Sequence, residues 1–124
     1  ELEFMHIHKT GALIRAAVML GARCSNVLDT VQLEKLDHFA KCVGLAFQVV
    51  DDVLDAEAST ATLGKTAGKD AENNKPTYVS ILGIREARAL AERLQHDADQ
   101  ALREFGEAAN RLRQVTDFII TRKF

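Results

Sequence analysis

A chain of 124 residues, 47% hydrophobic, with one Pro and no Trp, is the size of one domain, which buries roughly two thirds of the surface its unfolded form exposes. A net charge of −2 gives no reason to expect nucleic acid or an anionic membrane surface as a partner. Two cysteines, Cys24 and Cys42, are too few for a disulfide framework, and no apolar run reaches the ~18 residues of a membrane span, so a reducing cytoplasm is the expected setting. Ala, Leu, Arg and Glu dominate, and β-branched residues do not alternate, so the expected fold class is all-α.

The chain opens Glu1-Leu2-Glu3-Phe4-Met5, which reads as the tail of an element already under way, and hence as the C-terminal portion of a longer polypeptide. His6-Ile7-His8-Lys9-Thr10-Gly11 follows, and then an apolar helix over Ala12 to Ala22. Thr10 is the expected N-cap. The free amides and positive dipole end of such a start attract an anion, and Lys9 adds a full charge beside it. A solvent-exposed lysine ahead of a helix is the plain alternative. His6 and His8 lie two apart, face apart on a helix, and are expected to be structural. Leu13, Ile14, Ala17, Val18 and Leu20 make the helix apolar on most sides, as expected of one buried among others.

After a turn from Cys24 to Asp29, Asp29 or Thr30 can cap a long helix that runs from Leu33 to Glu57 and ends near Ala58. Its expected core stripe is Leu33, Leu36, Ala40, Val43, Phe47, Val50 and Leu54, with Cys42 a small core residue. Beside that stripe Gly44, Gln48, Asp51 and Asp55 follow at helical spacing, and Asp52 stands about 100° round the helix. Asp51, Asp52, Asp55 and Glu57 thus crowd the C-terminal turns, where the dipole is negative and each acid costs roughly 0.3 to 1 kcal/mol. Like charges four apart add to the cost. Such a concentration of broken rules points to a counter-charge outside the sequence, a hard divalent cation. A solvated acidic helix end is the bland alternative.

From Ala58 to Lys75 the apolar period is lost, as in a lid or binding loop. Ser59 to Thr66 comes close to a phosphate-binding P-loop, but no strand precedes it and no helix directly follows, so that reading is set aside. Pro76 suits a first helical position, and Tyr78 to Leu82 is a short helical piece. Ile84, Ala87, Ala91, Leu94, Ala98, Ala101 and Phe105 then trace one amphipathic helix, with Arg88 and Glu92, and Asp99 and Arg103, placed to pair on its outer face. Leu112, Val115, Phe118 and Ile119 mark a last helix. Its basic end, Arg122-Lys123-Phe124, complements the helix dipole.

Phe47-Gln48 with Asp51-Asp52-x-x-Asp55 resembles the second aspartate-rich motif of the isoprenyl diphosphate synthases, the farnesyl and geranyl diphosphate synthase family. Three further segments resemble that family in the same order: His6-x-x-Lys9-Thr10-Gly11, Gly64-Lys65 with Gly68-Lys69-Asp70, and Lys75-Pro76-Thr77-Tyr78. The resemblance implies the C-terminal part of an isoprenoid synthase-type bundle, residues 1–124 of one all-α domain, with five to six helices and a lysine-bearing lid at 58–75. The activity it implies is that of a farnesyl diphosphate synthase-like geranyltranstransferase, which joins dimethylallyl or geranyl diphosphate to isopentenyl diphosphate. By the same resemblance Mg²⁺, or Mn²⁺, is held by Asp51, Asp52 and Asp55. Lys9, Thr10, Gln48, Lys65 and Lys69 take catalytic roles, and Phe47 joins them in binding substrate. Family members carry a first acidic motif upstream, so these residues alone are not expected to turn over. The resemblance also implies a cytoplasmic homodimer. Another class I terpenoid enzyme, or a non-catalytic helical partner subunit, are the alternatives.

Overall fold

The structure, a computed structural model, describes residues 10–61 and 76–124. The described residues form α1 (Ala12–Arg23), α2 (Thr30–Ala61), α3 (Tyr78–Leu82), α4 (Ile84–Ala101), a 3-10 stretch (Arg103–Ala109) and α5 (Asn110–Thr121), with no strand among them. The fold is all-helical, as expected. Among the described residues no helix is long and apolar enough to cross a membrane. The axis of the molecule is α2. On one side it takes α1, along the other α4, and α3 and α5 also pack against it.

Asp29 starts α2 through a reciprocal cap: its Oδ1 accepts from the Gln32 N–H at 2.8 Å, and its own N–H donates to Gln32 Oε1 at 3.0 Å. The far end differs from expectation. Instead of stopping near Ala58 the helix continues to Ala61, and the Thr60 hydroxyl is satisfied within it by donating from Oγ1 to the Ala56 carbonyl at 2.9 Å. Asp51, Asp52 and Asp55 therefore lie inside the helix, clear of its last turn. The macrodipole cost, confined to terminal turns, does not fall on them, and Glu57 is offset by its ion pair with Arg88 of α4.

Burial on α2 is wider than the expected stripe because the helix is packed on more than one side. Phe39, Ala46, Val49 and Val53 are buried along with Leu36, Ala40, Val43 and Val50, whereas Leu33, Phe47 and Leu54 are half-buried. One cluster joins Leu36, Phe39, Cys42 and Val43 to Ala98, Ala101 and Leu102, with Ile14 and Val18 of α1 against it. A second joins Val49, Val50 and Val53 to Tyr78, Ala87 and Ala91. Ala87, Ala91, Ala98 and Ala101 are all buried on one face of α4. These methyl-sized contacts let the two helices approach closely.

The expected continuous helix from Ile84 to Phe105 breaks after Ala101. The 3-10 stretch is kinked at Gly106, whose φ of 57° is open to glycine and strained for other residues. Arg113 ties this corner, donating to the Gly106 carbonyl at 2.6 Å and the Leu102 carbonyl at 3.0 Å. The break removes Arg103 from α-helical register with Asp99, and Arg88 turns to Glu57 instead of Glu92. Among the described residues neither expected pair forms. Pro76 is not the first helical residue either. Thr77 is the N-cap of α3, its Oγ1 accepting from the Ser80 N–H at 2.9 Å while Ser80 Oγ accepts from the Thr77 N–H at 2.8 Å.

Candidate active site

The stripe predicted along α2 exists as a surface, and its first member anchors it to α1. A Cβ placed on Gly44 would lie 3.0 Å from the Gly11 Cα, so the two helices cross there backbone to backbone. Gly44 thus serves the crossing rather than the wall of a cavity. The crossing sets half-buried Thr10, next to Gly11, beside the stripe one turn before Gln48. Thr10 and Gly11 are themselves wound in a π-type turn leading into α1. Gly11 at the cap position is right-handed helical with no side-chain cap bond, so Thr10 is not the N-cap expected from the sequence. Arg15 pins the same two helices through an ion pair with Asp37, which Lys41 also approaches at 3.3 Å. The guanidinium beside Asp37 holds its carboxyl below the usual carboxylate range, against the opposing effect of burial.

Gln48 and Asp51 are half-buried and Asp55 is exposed on this stripe. Among the described residues Asp51 makes no hydrogen bond or ion pair. Asp52 differs in kind. It is 7% exposed, and each of its oxygens accepts a hydrogen bond: Oδ1 from Gln48 Nε2 at 3.2 Å, Oδ2 from the Tyr78 N–H at 2.9 Å. The second bond joins α2 to the first residue of α3. Sequence spacing could not show it, although Thr77-x-x-Ser80 does carry a cap signal that fixes Tyr78 as the first helical residue.

Phe47 flanks the stripe, and the chain end lies over it. The Arg122 guanidinium stands 4.4 Å from the Phe47 ring centroid and donates to the Phe47 carbonyl at 3.3 Å. It also donates to the Ile119 carbonyl at 3.2 Å, so the expected cation at the end of α5 is there. Beside this contact a cleft of about 460 Å³ opens between α2, α4 and the end of α5, with Val50, Leu54, Arg88 and Ile120 in its walls. Neither Asp51 nor Asp55 lines it.

Lys9, Lys65 and Lys69, with His6 and His8, lie outside the described residues. Among the described residues no three His, Cys, Asp or Glu side chains come together as a metal-holding group. What the stripe offers is a smaller set, Asp51 and Asp55 one turn apart. That set suits a cation that keeps several waters and takes only one or two protein carboxylates.

The sequence profile of the polyprenyl synthetase family matches residues 1–115. The chain is 47% identical over 124 residues to a farnesyl diphosphate synthase of Escherichia coli, covering 98% of this chain and 42% of that protein. It is 52% identical over 104 residues to a chloroplastic geranylgeranyl pyrophosphate synthase of Catharanthus roseus, covering 84% of this chain and 29% of that one. A crystal structure from Marinomonas sp., ascribed to a farnesyl-diphosphate synthase, superposes with a TM-score of 0.79 at 41% identity, over 96% of this chain and 39% of that one. The chain spans about a third of the length of the curated relatives it matches.

Proposed function

The chain belongs to the polyprenyl synthetase family, and from that membership we propose that it carries one carboxylate wall of a prenyltransferase site, as the C-terminal portion of a single all-α domain. The substrates in this reading are an allylic diphosphate and isopentenyl diphosphate. The observation that carries it is the Gln48–Asp51–Asp55 stripe, where half-buried Asp51 has no partner among the described residues. Asp51 and Asp55 would hold Mg²⁺, or Mn²⁺ in its place, together with water and diphosphate oxygens. When bound, the cation offsets the negative charge that builds on the diphosphate as the allylic C–O bond breaks. By the family resemblance, Lys9, Thr10, Lys65 and Lys69 meet the same diphosphate.

The diphosphate leaves with the bonding electron pair. The double bond of isopentenyl diphosphate supplies the pair that forms the new C–C bond, and the proton lost from the adjacent carbon passes to the departed diphosphate. Gln48 borders the reacting end, and the Phe47 ring contributes an apolar side that keeps water from the allylic cation. We take geranyl diphosphate as the allylic substrate and farnesyl diphosphate as the product, made by a cytoplasmic homodimer. In the complete enzyme Asp51→Ala should lower turnover of geranyl and isopentenyl diphosphates by ~10²-fold or more, the scale of losing a charge-stabilising group. Near-normal turnover by the folded variant would overturn the assignment.

A further inference from the structure

Asp52 carries an acidic side chain in the motif, yet the structure gives it other work. It is 7% exposed, whereas Asp51 beside it is half-buried and Asp55 exposed. An ionised carboxylate only accepts hydrogen bonds. With the Tyr78 N–H on Oδ2 at 2.9 Å, the group is fixed in place by a backbone donor of another helix. Its Oδ1 then faces Gln48, one turn back, at 3.2 Å. The amide of Gln48 has a donor end and an acceptor end, and only the donor end can meet a carboxylate. Asp52 therefore decides which way the amide points: Nε2 toward Asp52, and the carbonyl oxygen away from it.

We propose that Asp52 is a positioning residue that acts through Gln48. Held by the Tyr78 N–H, it sets the Gln48 amide so that an oxygen, not an NH₂ group, is presented to the reacting end of the substrate. The functional consequence rests on the prenyl-transfer reading above. Positive charge develops on the allylic carbon as the diphosphate departs; the negative end of a carbonyl dipole favours that charge and an NH₂ group opposes it. This role is separate from metal ligation: it uses one acceptor site on each Asp52 oxygen for bonds within the protein, and the magnesium requirement tells the two apart.

Asp52→Asn separates the possibilities. The introduced asparagine has one acceptor oxygen, which the Tyr78 N–H claims, and its NH₂ then faces Gln48. The Gln48 amide must flip to answer it. In the 124-residue chain, exchange of the Tyr78 amide and of the Gln48 side-chain NH₂ can be followed by NMR without reference to any activity. Wild type should protect both. Asp52→Asn should keep Tyr78 protected and lose protection at the Gln48 NH₂, and Asp52→Ala should lose both. Gln48 protection unchanged in either variant overturns the proposal, whatever the chain's activity.

In the complete enzyme, Asp52→Asn should lower kcat about tenfold, with KM for both diphosphates and the magnesium concentration for half activity within about twofold. Pairing it with Gln48→Glu returns an acceptor oxygen to the stripe while still accepting from the new asparagine, and should recover much of the lost kcat. A large rise in the magnesium requirement would identify Asp52 as a ligand and overturn the proposal. So would an undiminished kcat, or no recovery in the double variant. Asp51→Ala assayed alongside tests the prenyl-transfer reading separately.

Discussion

Burial, with a smaller contribution from nearby Asp97, pushes the Cys42 thiol from its ordinary 9.0 up to about 11. Its Sγ lies 3.7 Å from His38 Nε2 in the part-buried α2–α4 contact. The folded form keeps its proton where the unfolded form has lost it, so the sign is fixed: this stability is full below pH 9 and disappears as pH rises toward 11. The loss is on the order of 2 kcal/mol. Thermal melts should show the midpoint falling between pH 9 and 11, and Cys42→Ala should flatten that fall. A slope unchanged by the substitution would place the titrating group elsewhere. Cys24 is exposed and should react with thiol reagents in the native protein well before Cys42. Asp37 acts at the other end of the scale. Its lowered carboxyl contributes stability that is present above the ordinary carboxylate range and is lost as pH falls through it.

Helix α2 shows how far a pattern can be read and where it stops. Its existence as one long helix and the alignment of Gln48, Asp51 and Asp55 follow from 3.6-residue spacing alone. The extension to Ala61 did not follow, because Ala58 to Ala61 carry no apolar period and Ser59 and Thr60 are weak helix formers, so neither signal marks the last turn. The extra buried residues, Phe39, Val49 and Val53, come from neighbours on two sides, which a single-stripe reading cannot supply. The role of Asp52 was hidden for a related reason: its partner is a backbone N–H twenty-six positions away, and main-chain donors leave no mark in side-chain spacing. The Arg122–Phe47 contact is long-range in the same sense.

Two glycines with opposite surroundings test the crossing of α1 and α2. Gly44→Ala gains about 0.5–1 kcal/mol in helix propensity, but its methyl group meets the Gly11 Cα at 3.0 Å. Overpacking against backbone costs about 1–3 kcal/mol, so the net effect should be destabilising. Gly21→Ala, with nothing within 4 Å of the new methyl, should keep the propensity gain and raise stability. Denaturant titration of both variants is the check; a stabilised Gly44→Ala would mean the helices part easily at that point.

For the whole molecule, exposed apolar surface is the telling feature. Leu13 is 73% exposed and Leu20 69%, on one face of α1, and Val27 beyond it is 85% exposed. With exposed Ala16 and Ala17 between Leu13 and Leu20, this face of α1 has the apolar character of an interaction surface. The 124-residue chain should therefore self-associate, or pair with a polypeptide supplying the rest of a family member, and light scattering across a dilution series reads this directly. A monomer at every concentration would show that the patch is tolerated in water. The same chain should not turn over geranyl and isopentenyl diphosphates, since on the proposed function it carries one carboxylate wall and a bundle site draws on facing helices.

Because both core clusters are built on α2, a 32-residue rod of about 48 Å, neither can melt alone. Opening one means unwinding the backbone that the other rests on. Native-state hydrogen exchange should then find amides near Val43 and Val49, one from each cluster, released together in a single global event, with no smaller opening that frees α4. The rod turns two cores into one cooperative unit, so damage at the Val43 cluster should be felt at the acidic stripe, which runs at the level of the Val49 cluster.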